Sequence, residues 1–304
     1  MLALAQCASG LTASGIILQR ATARAASLPT TLLRQKQTIK SSTLQICVGN
    51  EAGDLDSIVS AIATSFLKNA LHQHNTSSTT TTTTTTCAIP LIPFPRSEFR
   101  LRRDAVYLFS LVGFQFDEVS ESPIELIFSD ELDQALRDPP PPPSSDSCSL
   151  EATSVELVLT DHNKRTIQHT ALDGAIVVEI IDHHADSGDH PNVVGSQRNV
   201  VGGALSSFCL FLCHHCSPHT GSFFLSFFFL LSLSFPFFAG LASACTLVTE
   251  SLLQNDVVIP QELSLLLAAT IILDARNWDP SKTTARDRMA YDTLLIGLRG
   301  KNPD

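Results

Sequence analysis

An apolar run, residues 175–181, ends in three residues of metal-binding type, Asp182, His183 and His184. A run of this length without alternating polar residues is typical of a strand that is buried on both faces of a parallel sheet. The carboxyl edge of such a sheet is where open α/β folds place their sites. An aspartate and two histidines at that edge supply ligands for hard and borderline metal ions. The sequence therefore predicts a metal site at the end of this strand.

Three further apolar segments of the chain end in carboxylates. They precede, in chain order, Asp54 with Asp56, then Asp161, and finally Asp274. Carboxylate oxygens suit Mg²⁺ or Mn²⁺, and a histidine nitrogen biases a site towards Mn²⁺ or Co²⁺. Two such ions close together can activate a water and neutralise the oxygens around phosphorus. The repeated pattern predicts a hydrolase that uses two divalent cations, Mn²⁺ or Mg²⁺, with Co²⁺ as an alternative.

Apolar strands that alternate with helical segments predict the fold class. We expect an α/β fold with a doubly wound, mainly parallel sheet of about five strands. Strands are predicted over 44–49, 88–92, 124–128, 155–160 and 175–181. Helices are predicted over 56–71, 98–113, 129–137, 243–254, 261–273 and 283–299.

The predicted domain spans 43–299, between a basic segment over 1–42 and a tail over 300–304. A threonine tract within 75–87 and a proline and serine tract within 138–150 predict exposed loops. The basic segment contains no acid, and we expect a helix before the first strand, with a mitochondrial targeting segment as the alternative. Cysteines without a disulfide spacing favour a reducing compartment. We therefore expect the cytoplasm, with the mitochondrial matrix as the alternative.

Residues 199–249 contain no Asp, Glu, Lys or Arg, and ten of the 17 phenylalanines lie between Phe208 and Phe238. Three interpretations are open: a membrane-spanning helix, an apolar subdomain, or a translated non-coding insertion over 204–239. Pro236 and many serines weaken the case for a membrane span. A bias to phenylalanine, leucine and serine is what pyrimidine-rich sequence encodes. We favour the insertion and expect no membrane partner.

Four motifs of the chain resemble, in order, those of the DHH phosphoesterase superfamily. They are Gly49-Asn-Glu-Ala-Gly-Asp-Leu-Asp-Ser57, Leu159-Thr-Asp-His-Asn163, Ile181-Asp-His-His-Ala-Asp186 and Ala269-Thr-Ile-Ile-Leu-Asp274. More narrowly, they are similar to the branch of exopolyphosphatases, prune proteins and family II inorganic pyrophosphatases. The resemblance covers 44–203 and 240–299, with interruptions. It implies hydrolysis of phosphoanhydride bonds, with inorganic polyphosphate or another small phosphoanhydride as substrate.

The resemblance also implies a set of metal ligands, namely Asp54, Asp56, Asp161, His183 and Asp274. Asp54 would hold one ion and Asp56 the other, while Asp161 would bridge them and take part in catalysis. His183 and Asp274 would complete the shell of the second ion.

Four other residues are given supporting roles. His184 resembles the histidine that contacts the substrate phosphate or protonates its leaving oxygen. Asn50 stands where pyrophosphatases have a ligand histidine, and we expect it to face the substrate. His162 and Asp182 are expected to orient their neighbours.

The charge balance and the end of the chain limit the function. The 30 acidic residues outnumber the 20 basic ones, so a nucleic-acid partner is not expected. Members of the family that this chain resembles have a C-terminal domain that closes over the metals, and we expect that domain to be missing after residue 299. One alternative is therefore an inactive or regulatory metal-binding fragment. A second is a pyrophosphatase or a nucleotide or cyclic-dinucleotide phosphodiesterase of the same superfamily.

Overall fold

The computed structural model describes residues 27–37, 43–76, 86–137, 154–167, 169–202 and 240–299. The central part of the first predicted loop, all of the second, most of the basic N-terminal segment, and the proposed insertion lie outside the described residues. The interpretations of the apolar stretch therefore stay as predictions, as do the domain boundaries.

A parallel sheet of six strands forms the centre of the described chain. The strands are β1 Thr43–Val48, β2 Thr86–Ile92, β3 Ile127–Phe128, β4 Ser154–Thr160, β5 Ile176–Asp182 and β6 Arg198–Val200. Their spatial order is β3-β2-β1-β4-β5-β6. The order changes direction between β1 and β4, and doubly wound sheets bind ligands at the carboxyl ends of the strands beside such a switch point. The predicted fold class is confirmed.

The sequence-based expectation of about five strands missed β6. This strand has only three residues, and all of them are half-buried rather than apolar and buried. Its pairing with β5 is a tertiary contact, so no local hydrophobic pattern marks it.

Helices cover the sheet. They are α1 Leu28–Gln37, α2 Leu55–Thr76, α3 Arg103–Leu111, α4 Leu132–Arg137, α5 Ala244–Gln254, α6 Gln261–Asp274 and α7 Ala285–Arg299. Short 3₁₀ helices occupy Arg96–Leu101, Ser129–Glu131, Thr170–Leu172 and Gly195–Gln197. None of the helices in the described ranges is both long enough and apolar enough to cross a bilayer.

The helix predicted over 98–113 is divided at Arg102 into a 3₁₀ helix and α3. Arg102 leaves the helical region of the backbone (φ −95°, ψ 77°), and its guanidinium donates to the carbonyls of Ala52 and Gly53. The tertiary contact with the turn after β1 therefore overrides the continuous helical pattern.

The core lies on both faces of the sheet. On one face, α2 packs with α5 and α6, and α7 closes this layer. On the other face, Leu132 and Leu172 pack on the strands. Part of the basic N-terminal segment belongs to the core as well, since Leu28 and Leu32 of α1 are buried. A helix, α1, thus precedes the first strand and is not confined to the surface, while the role of the segment stays a prediction.

Candidate metal centre

The turn between β1 and α2 separates two carboxylates. A Cβ atom at Gly49 would lie 2.6 Å from the Cβ and the carbonyl oxygen of Ser57, so only glycine lets α2 begin directly against the end of β1. Asp54 caps α2, because its Oδ1 accepts the Ser57 N–H at 3.0 Å and its carbonyl accepts the Ile58 N–H. Asp54 is exposed, whereas Asp56, two residues later, is buried.

Asp56 accepts hydrogen bonds from the N-terminus of α5. Its Oδ1 accepts from the hydroxyl of Ser243 at 2.6 Å and from the Cys245 N–H at 3.0 Å. Its Oδ2 accepts from the Ala244 N–H at 2.7 Å. Burial and the neighbouring carboxylate of Asp161 raise the pKa of Asp56. The helix N-terminus therefore stabilises a carboxylate whose surroundings disfavour its charge.

Asp161 lies at the end of β4 with a left-handed backbone (φ 61°) and is buried. Its Oδ2 accepts from the Ser57 hydroxyl at 2.7 Å and from Nδ2 of Asn50 at 2.8 Å. Its Oδ1 receives no hydrogen bond from a backbone N–H or a hydroxyl of the described residues and faces Nε2 of His183 at 3.1 Å. A buried carboxylate oxygen without such a donor is costly, and a cation satisfies it.

His183, which follows β5, directs one ring nitrogen at the acids. Its Nδ1 lies 2.8 Å from the carbonyl oxygen of Leu241, and because a carbonyl only accepts, Nδ1 carries the proton. Its Nε2 lies 3.1 Å from Oδ1 of Asp161 and 3.6 Å from Oδ2 of Asp56. Burial alone would lower the pKa of His183, but these two carboxylates and the Leu241 carbonyl raise it to about 9.

His184 is more exposed and contacts a different acid. Its Nδ1 lies 2.8 Å from Oδ1 of Asp182 and 3.6 Å from Oδ1 of Asp161. Asp182 also accepts the backbone N–H of His184 at 3.1 Å and is fully buried. The hydrogen bond that the His184 ring donates to Asp182 raises the pKa of His184. Asp182 thus contacts its neighbour in the way that the predicted orienting role requires.

The other predicted orienting residue, His162, makes a different contact. Its Nδ1 lies 2.8 Å from the carbonyl oxygen of Thr160, and its buried Nε2 has no partner among the described residues. His162 therefore has no hydrogen bond to a predicted metal ligand within the described ranges.

Asp274 approaches from the C-terminal end of α6 rather than from a strand. Its Oδ2 is buried and has no hydrogen-bond donor in the described part of the chain. Burial and the charge of Asp56 raise the pKa of Asp274 to about 8. Without a cation, this group therefore holds a proton near neutral pH.

One cavity of about 500 Å³ contains these groups. Its lining includes the five predicted metal ligands and His184, together with Arg276, Ser281 and Lys282. Asn50 is not among the lining residues: its Nδ2 donates to Asp161, and its Oδ1 accepts from the backbone of its own turn. Sequence reasoning did not select Ser243 and Arg276. The position of Ser243 before an apolar run is a helix N-cap signal that could have indicated it, whereas no local signal indicates Arg276.

The residues present fit divalent cations. The carboxylates supply hard oxygen ligands and His183 supplies a borderline nitrogen, a mixture that suits Mn²⁺ or Mg²⁺. Oδ1 of Asp161 and Oδ2 of Asp274 receive no backbone or hydroxyl hydrogen bond in the described chain, and they are the positions that a cation would satisfy. Asp161, His183 and His184 also offer ligand atoms within 4.8 Å of one another.

The fold and the site define an α/β protein with an acid and histidine centre beside the switch point of a parallel sheet. The family model of the DHH family, N-terminal domain, matches residues 45–271, and the chain belongs to this family. It is 29% identical over 259 residues to Exopolyphosphatase PRUNE1 of Homo sapiens, covering 84% of this chain and 42% of that protein. The identity to the Mus musculus protein of the same name is 28% over 258 residues, with 84% and 41% covered.

The chain thus spans about two fifths of the length of these curated relatives. A solved structure from Methanococcus jannaschii, assigned in its description to the family II inorganic pyrophosphatases, is also similar. That comparison has a TM-score of 0.41 and 16% identity, and it covers 85% of this chain and 57% of the other.

Proposed function

We propose that this chain hydrolyses phosphoanhydride bonds with two divalent cations, Mn²⁺ or Mg²⁺, and that inorganic polyphosphate is its substrate. The observation that carries the proposal is the single cavity that collects Asp54, Asp56, Asp161, His183, His184 and Asp274. Membership of the DHH family and similarity to proteins named exopolyphosphatase support it. Pyrophosphate and nucleotide phosphates are the alternative substrates.

The acids of the site would hold the cations. Asp161 is the candidate for the bridging ligand, because Ser57 and Asn50 fix one of its oxygens and leave the other facing His183 in the cavity. Asp56 and Asp274 would serve the ion beside His183, and Asp54 would serve the other. When bound, two cations supply positive charge that lowers the pKa of a nearby water and offsets the charge of the phosphate.

The two histidines have different tasks in this proposal. His183 keeps its proton on Nδ1, at the Leu241 carbonyl, and offers Nε2 to a cation. Asp182 raises the pKa of His184, and His184 lines the cavity with a partly exposed ring. The protonated ring can therefore donate to a phosphate oxygen or to the leaving oxygen. Asp182 keeps the ring of His184 in place for that transfer.

Phosphate release from polyphosphate, with Mg²⁺ or Mn²⁺, tests the proposal. Asp161→Asn keeps the size of the side chain but removes the bridging charge, and we expect a loss of at least about 100-fold in kcat. Asp117→Asn is the matched control, because Asp117 accepts hydrogen bonds only within an exposed turn. Cation binding without phosphate release from polyphosphate, pyrophosphate or a cyclic dinucleotide would refute hydrolysis and leave a metal-binding role.

A further inference from the structure

The loop between α6 and α7 carries two cationic side chains into the cavity of the acids. Arg276 and Lys282 line that cavity, and both are exposed. Among the described residues, no hydrogen bond or ion pair within 4 Å uses their charged side-chain atoms. Asp279 lies between them in sequence, but it is not a lining residue and its Oδ1 accepts from the N–H and the hydroxyl of Ser281. Hydrogen bonds from Ser281, and then the charges of Arg276 and Lys282, lower the pKa of Asp279, but neither cation forms a hydrogen bond or ion pair through its charged group within the described chain.

The backbone at Arg276 gives independent evidence of a role beyond folding. The N–H of Arg276 donates to the Leu273 carbonyl and the N–H of Asn277 to the Ile272 carbonyl, which is the Schellman ending of a helix. The residue at the position of Arg276 is usually glycine, because its φ is positive. Arg276 has φ 46°, and Asn277 and Trp278 follow with φ 54° and 71°. A left-handed arginine at a helix end is strained, and such strain is found where a side chain has a task.

The loop is held in this conformation by contacts on its far side. The ring of Trp278 lies 4.9 Å from that of Tyr291 in an edge-on arrangement, and the guanidinium of Arg288 lies 4.7 Å from the Trp278 ring centroid. The Asp279 N–H donates to the Ala275 carbonyl at 2.8 Å. Because the backbone is fixed before any ligand arrives, binding has to order only the two side chains.

We infer that Arg276 and Lys282 form an anion-binding rim, which binds the phosphate groups of a linear polyphosphate beyond the bond that is cleaved. The inference rests on the proposed function, and it specifies a substrate longer than two phosphates. A guanidinium suits this task because it donates two parallel hydrogen bonds to phosphate, while lysine contributes a compact charge. Without bound cations, the acids of the cavity would repel a polyphosphate chain. The metals would therefore bind the phosphates at the cleaved bond, and the rim would bind phosphates further along the chain.

Arg276→Gly separates this role from a structural one. Glycine relieves the positive φ, so the variant should unfold at the same temperature as the wild type or a higher one. We expect its affinity for imidotriphosphate, with Mg²⁺, to fall about tenfold by calorimetry, since a charge-assisted hydrogen bond is lost. The affinity for imidodiphosphate should fall less. Arg276→Lys should restore part of the loss, and Lys282→Gln should weaken binding in the same direction.

Asp256→Gly is the matched control. Asp256 occupies the same position in the Schellman ending of α5, with φ 51°, and does not line the cavity. It should gain stability and keep the affinity of the wild type. Trp278, the one tryptophan of the chain, gives a second readout, because its emission should change when imidotriphosphate binds.

Equal affinity of the wild type and Arg276→Gly for imidotriphosphate would overturn the inference. An equal loss of affinity in Asp256→Gly, or no binding of imidotriphosphate by the wild type, would overturn it as well. Because the ligands are not hydrolysed, rim-dependent binding would support the inference even if phosphate release failed. Phosphate release that is unchanged in Arg276→Gly at every chain length would overturn the rim and leave the proposed function intact.

Discussion

Asp287 is expected to support the metal centre from a distance, although it does not line the cavity. It is fully buried near the start of α7. Its Oδ1 accepts from the Ala242 N–H at 3.2 Å and from the Thr246 hydroxyl at 2.7 Å. Its Oδ2 accepts from the N–H and the hydroxyl of Thr284 at 2.8 and 2.7 Å. One carboxylate thus joins the start of α7 to the segment that enters α5.

The loss of stability expected when Asp287 is replaced follows from these contacts. Asp287→Ala removes one half of the capping box that Asp287 forms with Thr284 at the start of α7, which is worth about 1 kcal/mol, and leaves the buried N–H of Ala242 and hydroxyl of Thr246 without an acceptor, at about 1–3 kcal/mol each. Because the terms share one carboxylate, they do not add fully, and we expect a loss of about 3–5 kcal/mol in the free energy of unfolding. Asp287→Asn can satisfy only one of the two sides, so its loss should be about 2 kcal/mol.

Replacement of Asp287 should also change the protonation of His183 in the metal centre. Ala242 follows Leu241, whose carbonyl accepts the proton of Nδ1 of His183. If the Asp287 contact is lost, that carbonyl is no longer fixed, and part of the His183 population should move its proton to Nε2 and lose the cation. Nitrogen-15 NMR of the His183 ring should therefore show the Nδ1–H form in the metal-free wild type above pH 9 and a mixture in Asp287→Asn.

Denaturant unfolding and Mn²⁺ titration complete the assay for Asp287. Asp117→Asn is again the control, since it removes an acceptor of similar chemistry from an exposed turn and should change neither measurement appreciably. Wild-type Mn²⁺ affinity and an unmixed tautomer in Asp287→Asn, despite the loss of stability, would refute the link to His183.

Three other outcomes are expected. The metal-free protein should lose stability as pH rises from about 4 to about 9, because the folded chain holds protons on Asp274 (pKa about 8) and His183 (pKa about 9) that the unfolded chain releases at lower pH. In thermal melts, Mn²⁺ should reduce this dependence of stability on pH. A stability that increases with pH over this range would contradict the reasoning. Gly49→Ala should lower the free energy of unfolding by about 1–3 kcal/mol and weaken Mn²⁺ binding. Gly297→Ala, whose new methyl group meets no neighbour, should instead stabilise α7 by about 0.5–1 kcal/mol. Equal effects of the two substitutions in denaturant unfolding would contradict the reasoning. Deletion of 204–239 should preserve the Mn²⁺ affinity measured by calorimetry, and a loss of binding would show that the segment serves the site.

The parts of the fold that depend on local pattern were predictable from the sequence. The strands that end near Asp56, Asp161 and His183 are mainly apolar, and parallel pairing then brings their carboxyl ends together. The predicted α/β class and membership of the DHH family are confirmed, since both follow from that pattern and its motifs. The individual ligand roles remain predictions, although the side chains share one cavity.

The parts that depend on tertiary contact were not predictable. The hydrogen bond between Ser243 and Asp56 joins residues 187 positions apart, and no periodicity within either segment indicates it. Asp287 looks in the sequence like an ordinary acid in the first turn of a helix. Arg276 stands where the rules of helix endings predict glycine, as Asp256 does at the end of α5, but of these two residues only Arg276 lines the cavity.

The geometry around the two histidines bears on the apolar stretch 204–239 as well. On one side of it, a Cβ atom at Gly202 would lie 2.5 Å from the carbonyl oxygen of His184, so the backbone passes directly against that residue. On the other side, the carbonyl of Leu241 accepts from His183. The chain therefore leaves and re-enters the described structure beside consecutive residues. A short connection between these two points would complete the site, so the deletion of 204–239 asks directly whether the stretch serves it.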